Sequence, residues 1–94
     1  MTFYVYILQS LSDFSFYRGY TEDPIVRLQR HNNGESEYTS RKVPWKLVHL
    51  EYYASKREAL IREKSLKKYS QRQIAELIAS TRNGLDEYLG DSGS

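Results

Sequence analysis

The fold is decided by residues 2–20, TFYVYILQSLSDFSFYRGY. The first half alternates as a β-strand does, so that successive side chains fall on opposite faces. The two faces are Phe3, Val5 and Ile7 on one side and Tyr4, Tyr6 and Leu8 on the other. A short polar turn at residues 11–15 reverses the chain, and residues 16–20 supply a second strand. The stretch therefore predicts a hairpin that gathers tyrosines on a small sheet.

Within this hairpin, Tyr6, Tyr17 and Gly19 carry a functional hypothesis. A glycine inside a strand marks a bulge or a close approach of the backbone to another group. Each tyrosine taken singly is explained by the preference of aromatic residues for strands. Our hypothesis is that the two tyrosines face a phosphodiester, and it depends on residues found further along the chain.

The composition is that of one small domain whose stability comes from packing. The chain has 94 residues and no cysteine, which excludes disulfides, thiolate zinc sites and thiol catalysis. No apolar run approaches the roughly 20 residues of a membrane span, and no signal peptide precedes the first strand. We therefore expect a cytoplasmic protein without membrane contact, with a domain over residues 1–82 and a short acidic, partly disordered tail over residues 83–94.

The net charge is only +2, but its distribution is uneven. Residues 56–72 hold seven basic side chains against two acidic ones, whereas residues 83–94 hold three acids and no base. A basic stripe suits a polyanion such as nucleic acid. The same charges are also explained as the solvated face of a helix, and the acidic tail could mask the basic surface.

A first helix is predicted over residues 24–32, because an aspartate precedes it as a cap and a proline occupies its first position. Ile25 and Leu28 are its expected core contacts. Arg27 and His31 are four residues apart, so they lie one above the other on a neighbouring face. This second pair is either a solvated helix surface or part of a site.

Residues 33–44 are predicted to form a polar, mobile loop. Tyr38, Arg41 and Lys42 in this loop supply an aromatic ring and two cations, which are groups that hold nucleic acid.

A third strand is predicted over residues 44–53, where alternate positions are apolar or aromatic. This pattern is interpreted as that of the central strand of the sheet. His49 is placed on the same side as Trp45 and Leu47, and we expect it to be a structural or rim residue rather than a ligand.

A capping box at residues 55–58 opens a second helix. Glu63 falls in the middle of its inward stripe at 100° per residue. An ionised carboxylate there is costly unless it is paired, hydrogen-bonded or bound to a metal, and a buried salt bridge with an arginine is the structural alternative. The other members of the stripe are Ala59, Leu60, Leu66 and the stem of Lys67.

A second capping box at residues 70–73 opens a third helix that runs to about residue 80. Asn83 and Gly84 end it, and residues 85–89 are expected to form one further turn against the body. Residues 90–94 have no reason to order.

The chain contains, in order, Y-V-Y-I-L (4–8), F-Y-R-G-Y-T (16–21), D-P-I-V-R-L-Q-R-H-N (23–32), P-W-K-L-V (44–48) and E-A-L-I-R-E-K-S-L-K (58–67). This series resembles the GIY-YIG nuclease superfamily over about residues 3–80, with the family's usual gap of ten residues between Tyr6 and Tyr17. Within the superfamily the chain looks like the small stand-alone bacterial proteins related to the nuclease subunit of structure-specific resolvases.

The sequence departs from the two motifs that name the superfamily. Residues 4–6 read Tyr-Val-Tyr where Gly-Ile-Tyr is usual, and residues 17–19 read Tyr-Arg-Gly where Tyr-Ile-Gly is usual. Both motif tyrosines are kept. The charged Arg18 replaces an apolar side chain, and a shift in strand register would turn it to solvent.

The resemblance implies an α+β fold, a three-stranded antiparallel sheet flanked by helices in the order β-β-α-β-α-α. It also implies hydrolysis of DNA with one divalent ion, Mg²⁺ or Mn²⁺. Tyr6 and Tyr17 would line the site from the sheet, Arg27 and His31 would come from the first helix, and Glu63 would hold the metal. The general base is left open between Tyr6 and His31. The expected nucleic-acid contacts are Arg18, Arg41, Lys42, Lys64, Lys67 and Lys68.

The leading interpretation is a metal-dependent DNA endonuclease that is directed by DNA structure rather than by sequence. The alternatives are a nucleic-acid-binding module without catalysis and a nuclease subunit that is inactive without a protein partner. A monomer or weak dimer is expected. Recombination, repair, and mobile-element or phage defence all stay open as pathways.

Overall fold

The computed structural model describes residues 1–90 and confirms the predicted fold class, a three-stranded antiparallel sheet flanked by helices. The element order is the predicted one, with an added 3₁₀ turn and the expected further turn near the end. The elements are β1 (Phe3–Ser10), β2 (Phe16–Thr21), α1 (Pro24–Asn32), the 3₁₀ helix (Thr39–Lys42), β3 (Trp45–Tyr53), α2 (Lys56–Leu66), α3 (Gln71–Ile78) and α4 (Leu85–Leu89). Residues 91–94, for which we predicted a lack of order, lie outside the described residues.

Local side-chain caps set the helix starts, although at α2 only the Ser55 half of the predicted capping box is present. The Asp23 carboxylate accepts a hydrogen bond from the Val26 amide at 3.2 Å and fixes the start of α1. At α3 both halves of the capping box are present, since Ser70 Oγ accepts from the Gln73 amide and the Gln73 side chain accepts from the Ser70 amide. Each cap satisfies a backbone N–H that the helix leaves without an internal partner.

The strand order is β2-β1-β3, so the prediction that the third strand is central is wrong. The hairpin strand β1 lies in the middle and pairs antiparallel with both neighbours. The edge strand β3 reads as apolar on alternate and adjacent positions because helices cover both faces of the sheet. The apolar pattern of β3 indicates that both of its faces are buried. It does not indicate whether the strand has a neighbour on each side in the sheet.

A bulge in β3 changes the direction of its second half. The register shifts so that Leu8 opposes Leu47 while Ile7 opposes His49, which leaves Val48 as the extra residue. Because one inserted residue reverses the alternation of faces, His49 lies on the opposite face from Trp45 and Leu47. Its predicted placement beside them is therefore wrong.

The two faces of the sheet carry separate cores. The first packs strand residues against α2 and α3, and the second packs them against α1 and α4. The first core contains Val5, Ile7, Ala59, Leu66, Ile74 and Leu77. The second contains Tyr6, Leu8, Trp45, Leu47 and Leu50, with Leu28, Leu85 and Tyr88 packed against it.

Two predicted apolar core contacts are wrong, and so is the inward placement of the Lys67 stem, since that side chain is 60% exposed; the core contact of Leu28 is confirmed. Ile25 is 38% exposed and Leu60 is 40% exposed. Helix α1 is rotated so that Pro24 and His31 are its buried residues, which turns the neighbouring Ile25 outward. No helix within residues 1–90 has the length and apolar character needed to cross a lipid bilayer.

An ionic network is buried between β3 and α2. Glu51 is 5% exposed and accepts hydrogen bonds from Arg62 Nε at 2.9 Å and from the Tyr53 hydroxyl at 2.7 Å. Its carboxylate also lies 2.8 Å from Nε2 of His49, a fully buried side chain. Burial alone would raise the pKa of Glu51, but the hydrogen bonds from His49, Arg62 and Tyr53 lower it to about 2. His49 thus serves the structure.

The described part of the predicted tail is joined to the sheet. The Asn83 side chain donates to the carbonyl oxygens of Val48 and Ile78 at 2.9 Å and accepts from the Leu50 amide at 3.3 Å. Leu85 and Tyr88 of α4 then pack into the second core. Helix α2 covers the opposite face of the sheet. The described acidic residues of α4 and the basic residues of α2 therefore lie on opposite sides of the sheet.

Candidate active site

The Tyr6 ring lies directly over Gly19. The two residues are opposite each other in the β1–β2 ladder, and a Cβ atom at residue 19 would collide with the phenol ring of Tyr6. Glycine is therefore required here by the close approach that its position in the strand indicated. The missing side chain lets the Tyr6 ring lie across β2.

His31 forms a hydrogen bond with the Tyr6 hydroxyl. It lies in the last turn of α1, is fully buried, and has Nε2 at 2.9 Å from the Tyr6 oxygen. Its other ring nitrogen, Nδ1, is 2.8 Å from the hydroxyl of Thr39, which is also fully buried. The imidazole is thus held on both sides between β1 and the 3₁₀ helix.

Tyr17 packs against the same imidazole. Its ring centroid is 4.9 Å from that of His31 in an edge-on arrangement and 6.3 Å from that of Tyr6. On its other side it lies 6.0 Å from the ring of Tyr38, which is 59% exposed. The two motif tyrosines and His31 therefore form one aromatic group that reaches the surface at Tyr38.

The Arg27 guanidinium is electrostatically coupled to both phenols. Burial alone would lower the pKa of Arg27, but its interactions with Tyr6 and Tyr17 raise it. Arg27 also lines an open cleft between the end of β2 and α1. A cation in this position can meet an incoming phosphate while it remains beside the phenols.

At neutral pH, burial is the main determinant of the protonation states of Tyr6 and His31. Burial raises the pKa of Tyr6 to about 12, with Arg27 opposing the rise and Tyr17 and Glu63 adding to it. Burial, followed by the Arg27 charge, lowers the pKa of His31 to about 4. Tyr6 is therefore a protonated phenol and His31 a neutral imidazole. The lowered Tyr6 pKa that a base role would require is not found.

Glu63 supplies the negative charge of the site. Its side chain is 19% exposed, and its carboxylate lies 3.4 Å from Lys67 Nζ one helical turn later. The predicted alternative, a buried salt bridge from Glu63 to an arginine, is wrong, because the partner of Glu63 among the described ion pairs is Lys67. A loose contact with a 60% exposed lysine leaves the carboxylate accessible to a cation.

Glu63 is the residue of this group that could hold a divalent ion. Within residues 1–90 no three or more His, Cys, Asp or Glu side chains are grouped to bind a metal. A single carboxylate, completed by water and by substrate phosphate oxygens, is an ordinary environment for Mg²⁺. The donor set therefore fits an ion that arrives with its substrate.

The predicted nucleic-acid contacts are not brought together on one surface. Arg18 is engaged internally, since it donates from Nε to the Leu66 carbonyl at 3.2 Å and from Nη2 to the Tyr69 carbonyl at 3.0 Å. These bonds satisfy one carbonyl group at the end of α2 and one three residues beyond it. The departure from the usual motif thus gives Arg18 a structural contact that the sequence did not indicate.

The other predicted contacts fall into two groups. Lys42 lies at the end of the 3₁₀ helix, with Nζ 5.3 Å from the Tyr38 ring centroid and 3.4 Å from Asp13. Arg41 beside it is exposed. The second group is on or just after α2, and all of its members are exposed: Lys64, Lys67 and Lys68.

Thr39 is a site residue that sequence reasoning missed. The segment predicted as a mobile polar loop contains the 3₁₀ helix, and the Trp45 indole donates to the Thr39 carbonyl at 2.9 Å. Asn32 holds the end of the segment, because its Oδ1 accepts from the Trp45 amide at 2.6 Å. No periodicity links these residues, so the local sequence contained no signal that could have found them.

The fold and the site residues described above match a known class of catalytic domain. A family model described as the GIY-YIG catalytic domain matches residues 2–75. The chain therefore belongs to the GIY-YIG family, whose nuclease members generally use a divalent metal.

Similar proteins are small and come from bacteria. A UPF0213 protein of Clostridium perfringens is 44% identical over 78 residues, which are 82% of this chain and 83% of the relative. A UPF0213 protein of Staphylococcus epidermidis is 41% identical over 76 residues, 80% of this chain and 92% of the relative. The solution NMR structure of the UPF0213 protein BH0048 from Bacillus halodurans is 33% identical, with a TM-score of 0.57 and 98% of both chains covered.

Proposed function

We propose that the protein is a divalent-metal-dependent endonuclease that hydrolyses phosphodiester bonds in DNA. The observation that carries the proposal is the 2.9 Å link between the Tyr6 hydroxyl and His31 Nε2, in a family of catalytic domains. Arg27 and Glu63 act electrostatically on the same phenol. A proton path, a cation and a carboxylate thus occur together, as hydrolysis of a phosphodiester requires.

Arg27 is proposed to bind the scissile phosphate. The anionic oxygens of a phosphodiester repel a nucleophile, so a cation that offsets the growing charge accelerates attack. The planar guanidinium matches two phosphate oxygens at once. A divalent ion on Glu63 would supply Lewis-acid stabilisation of the scissile and leaving oxygens.

The proton of the attacking water is proposed to leave through Tyr6. As water attacks phosphorus, it passes a proton to the Tyr6 oxygen, and the phenol proton moves to His31 Nε2. A phenol with a pKa of about 12 cannot act alone as a base near pH 7. Relay to His31 avoids a free phenolate, and a phosphate on Arg27 would offset one of the charges that disfavour the imidazolium.

The test is cleavage of labelled branched, single-stranded and duplex DNA with Mg²⁺, with Mn²⁺, and with a chelator. We expect metal-dependent cleavage that depends on DNA structure more than on sequence. Glu63→Gln should lose about a hundredfold or more in rate, since it removes the carboxylate that would hold the ion. Tyr6→Phe should also lose activity, because it removes the relayed proton.

Glu76→Gln is the matched control. Glu76 is on α3, its side chain is 66% exposed, and its ion pair is with Arg72. This variant should cleave as the wild type does. Absence of cleavage on every substrate, or equal rates for wild type and Glu63→Gln, would overturn the nuclease. Salt-sensitive binding without cleavage would instead favour the non-catalytic module or a subunit that needs a partner.

A further inference from the structure

We propose that Thr39 is a positioning residue that selects the tautomer of His31, so that Nε2 is free to take the Tyr6 proton. The inference rests on the proposed nuclease function for its chemical meaning. It is argued from four groups that contact one another in succession: the Tyr6 hydroxyl, the His31 ring, the Thr39 hydroxyl and the Ser36 carbonyl.

The imidazole of His31 has one partner on each nitrogen. Nε2 lies 2.9 Å from the Tyr6 oxygen and Nδ1 lies 2.8 Å from Thr39 Oγ1. Both His31 and Thr39 have 0% exposure. In a neutral imidazole one nitrogen donates and the other accepts, so the partner of one nitrogen decides the role of the other.

The Ser36 carbonyl gives the Thr39 hydroxyl proton an acceptor other than His31. It lies 3.4 Å from Thr39 Oγ1, and a carbonyl oxygen can only accept. We assign the single hydroxyl proton of Thr39 to Ser36, so that Thr39 accepts from Nδ1–H of His31 at 2.8 Å. Nε2 is left without a proton, and the Tyr6 hydroxyl donates to it.

The opposite arrangement would block the proposed proton path. If Nε2 carried the proton, it would donate to the Tyr6 oxygen, and His31 would have no lone pair facing that phenol. The position of the Thr39 hydroxyl is itself held through the backbone, because the Trp45 indole donates to the Thr39 carbonyl at 2.9 Å. The 3₁₀ helix thus presents one oxygen to His31 at a fixed place.

The tautomer can be measured without DNA. Long-range proton–nitrogen NMR spectra of histidine-labelled protein should show His31 protonated on Nδ1 in the wild type at pH 7. Thr39→Val keeps the side-chain shape and removes the acceptor, so we expect its His31 to shift toward protonation on Nε2. Thr39→Ser restores the hydroxyl and should restore the wild-type tautomer.

Kinetics provide the second readout. Thr39→Val should lower kcat by about tenfold or more while KM changes less than about twofold, because the proton path and not DNA binding is affected. Thr39→Ser should recover most of kcat. A purely structural role for Thr39 would lower the folded fraction of Thr39→Val without moving the tautomer.

The outcomes separate this proposal from the nuclease function. A wild-type His31 protonated on Nε2 overturns the proposal even if the protein cleaves DNA, and this measurement needs no variant to fold. A Thr39→Val protein that keeps the wild-type tautomer overturns it as well. The expected tautomers in a protein that cleaves no substrate would support the selection by Thr39 and reject only the nuclease.

Discussion

At the scale of single residues, the site depends on the lack of a side chain at residue 19. Gly19 has no Cβ, and the Tyr6 ring occupies the space that this atom would fill. The ring can therefore cross β2 and bring its hydroxyl to within 2.9 Å of His31 Nε2. The two residues form one unit, because any side chain at residue 19 would displace the Tyr6 ring.

Gly19→Ala should separate the Tyr6 hydroxyl from His31. The new methyl group forces the ring to move, which we expect to cost about 1–3 kcal/mol of unfolding free energy and at least about tenfold in cleavage rate. Urea denaturation and cleavage assays measure the two effects. In a Tyr6→Ala background the same substitution should cost little, so additive costs in this double-mutant cycle would contradict the coupling.

The protonation of His31 predicts a pH dependence of stability. Its pKa is lowered from 6.5 to about 4 in the folded protein by burial and by Arg27. Between these values the unfolded chain binds a proton that the folded chain does not, so the free energy of unfolding falls as the pH drops from about 6.5 to 4. Above about pH 6.5 His31 is neutral in both the folded and the unfolded chain, so this loss of stability is absent.

His31→Gln tests that dependence by removing the titrating group. Urea denaturation of both proteins at several pH values should show a shallower loss of stability in the variant over this window. All other groups are common to the two proteins, so the difference isolates His31. Parallel curves would contradict a neutral, buried imidazole.

At the scale of elements, helix α2 is tied to the sheet by polar contacts as well as by its core residues. Arg62 pairs with the buried Glu51 of β3, and Arg18 of β2 donates to the carbonyl of Leu66. These contacts fix the rotation of α2 about its axis. That rotation in turn places Glu63 where its charge acts on Tyr6.

Glu51→Gln should destabilise the protein by about 3 kcal/mol at pH 7, since it leaves the largely buried Arg62 without its carboxylate. Glu58→Gln is the control, because Glu58 is exposed on the same helix and surface changes are usually within about 0.5 kcal/mol. Chemical denaturation compares the two. A similar, small effect in both variants would show that the Glu51 network does not hold α2.

At the scale of the whole molecule, the sequence predicted what local periodicity can report. Alternation identified the hairpin, and caps identified α1, α2 and α3 with Arg27 and His31 four residues apart. The order of strands, the bulge that turns His49 and the burial of Thr39 depend on contacts between distant segments. Residues 33–44 looked like a loop because polar side chains that bond internally resemble polar side chains that face water.

The boundary predicted after residue 82 can be tested by truncation. A chain ending there loses the Asn83 hydrogen bonds and the packing of Leu85 and Tyr88, so we expect a loss of about 3 kcal/mol or more. A chain ending at Gly90 retains α4 and is the control. If the shorter chain were as stable as the control in urea, residues 83–90 would not belong to the folded domain.

The fixing of the 3₁₀ helix bears on how the chain could change in length over evolution. Ser10 Oγ donates to the Lys42 carbonyl at 2.7 Å, and the Trp45 indole holds Thr39. Residues 33–35, just before this anchored part, are exposed, but their amides bond to carbonyl oxygens in the last turns of α1. Insertions or deletions among descendants are therefore expected to avoid both segments. A change of length at residues 33–35 would disturb the end of the helix that carries His31, and one residue gained or lost between Thr39 and Trp45 would break the alignment on which proton transfer depends.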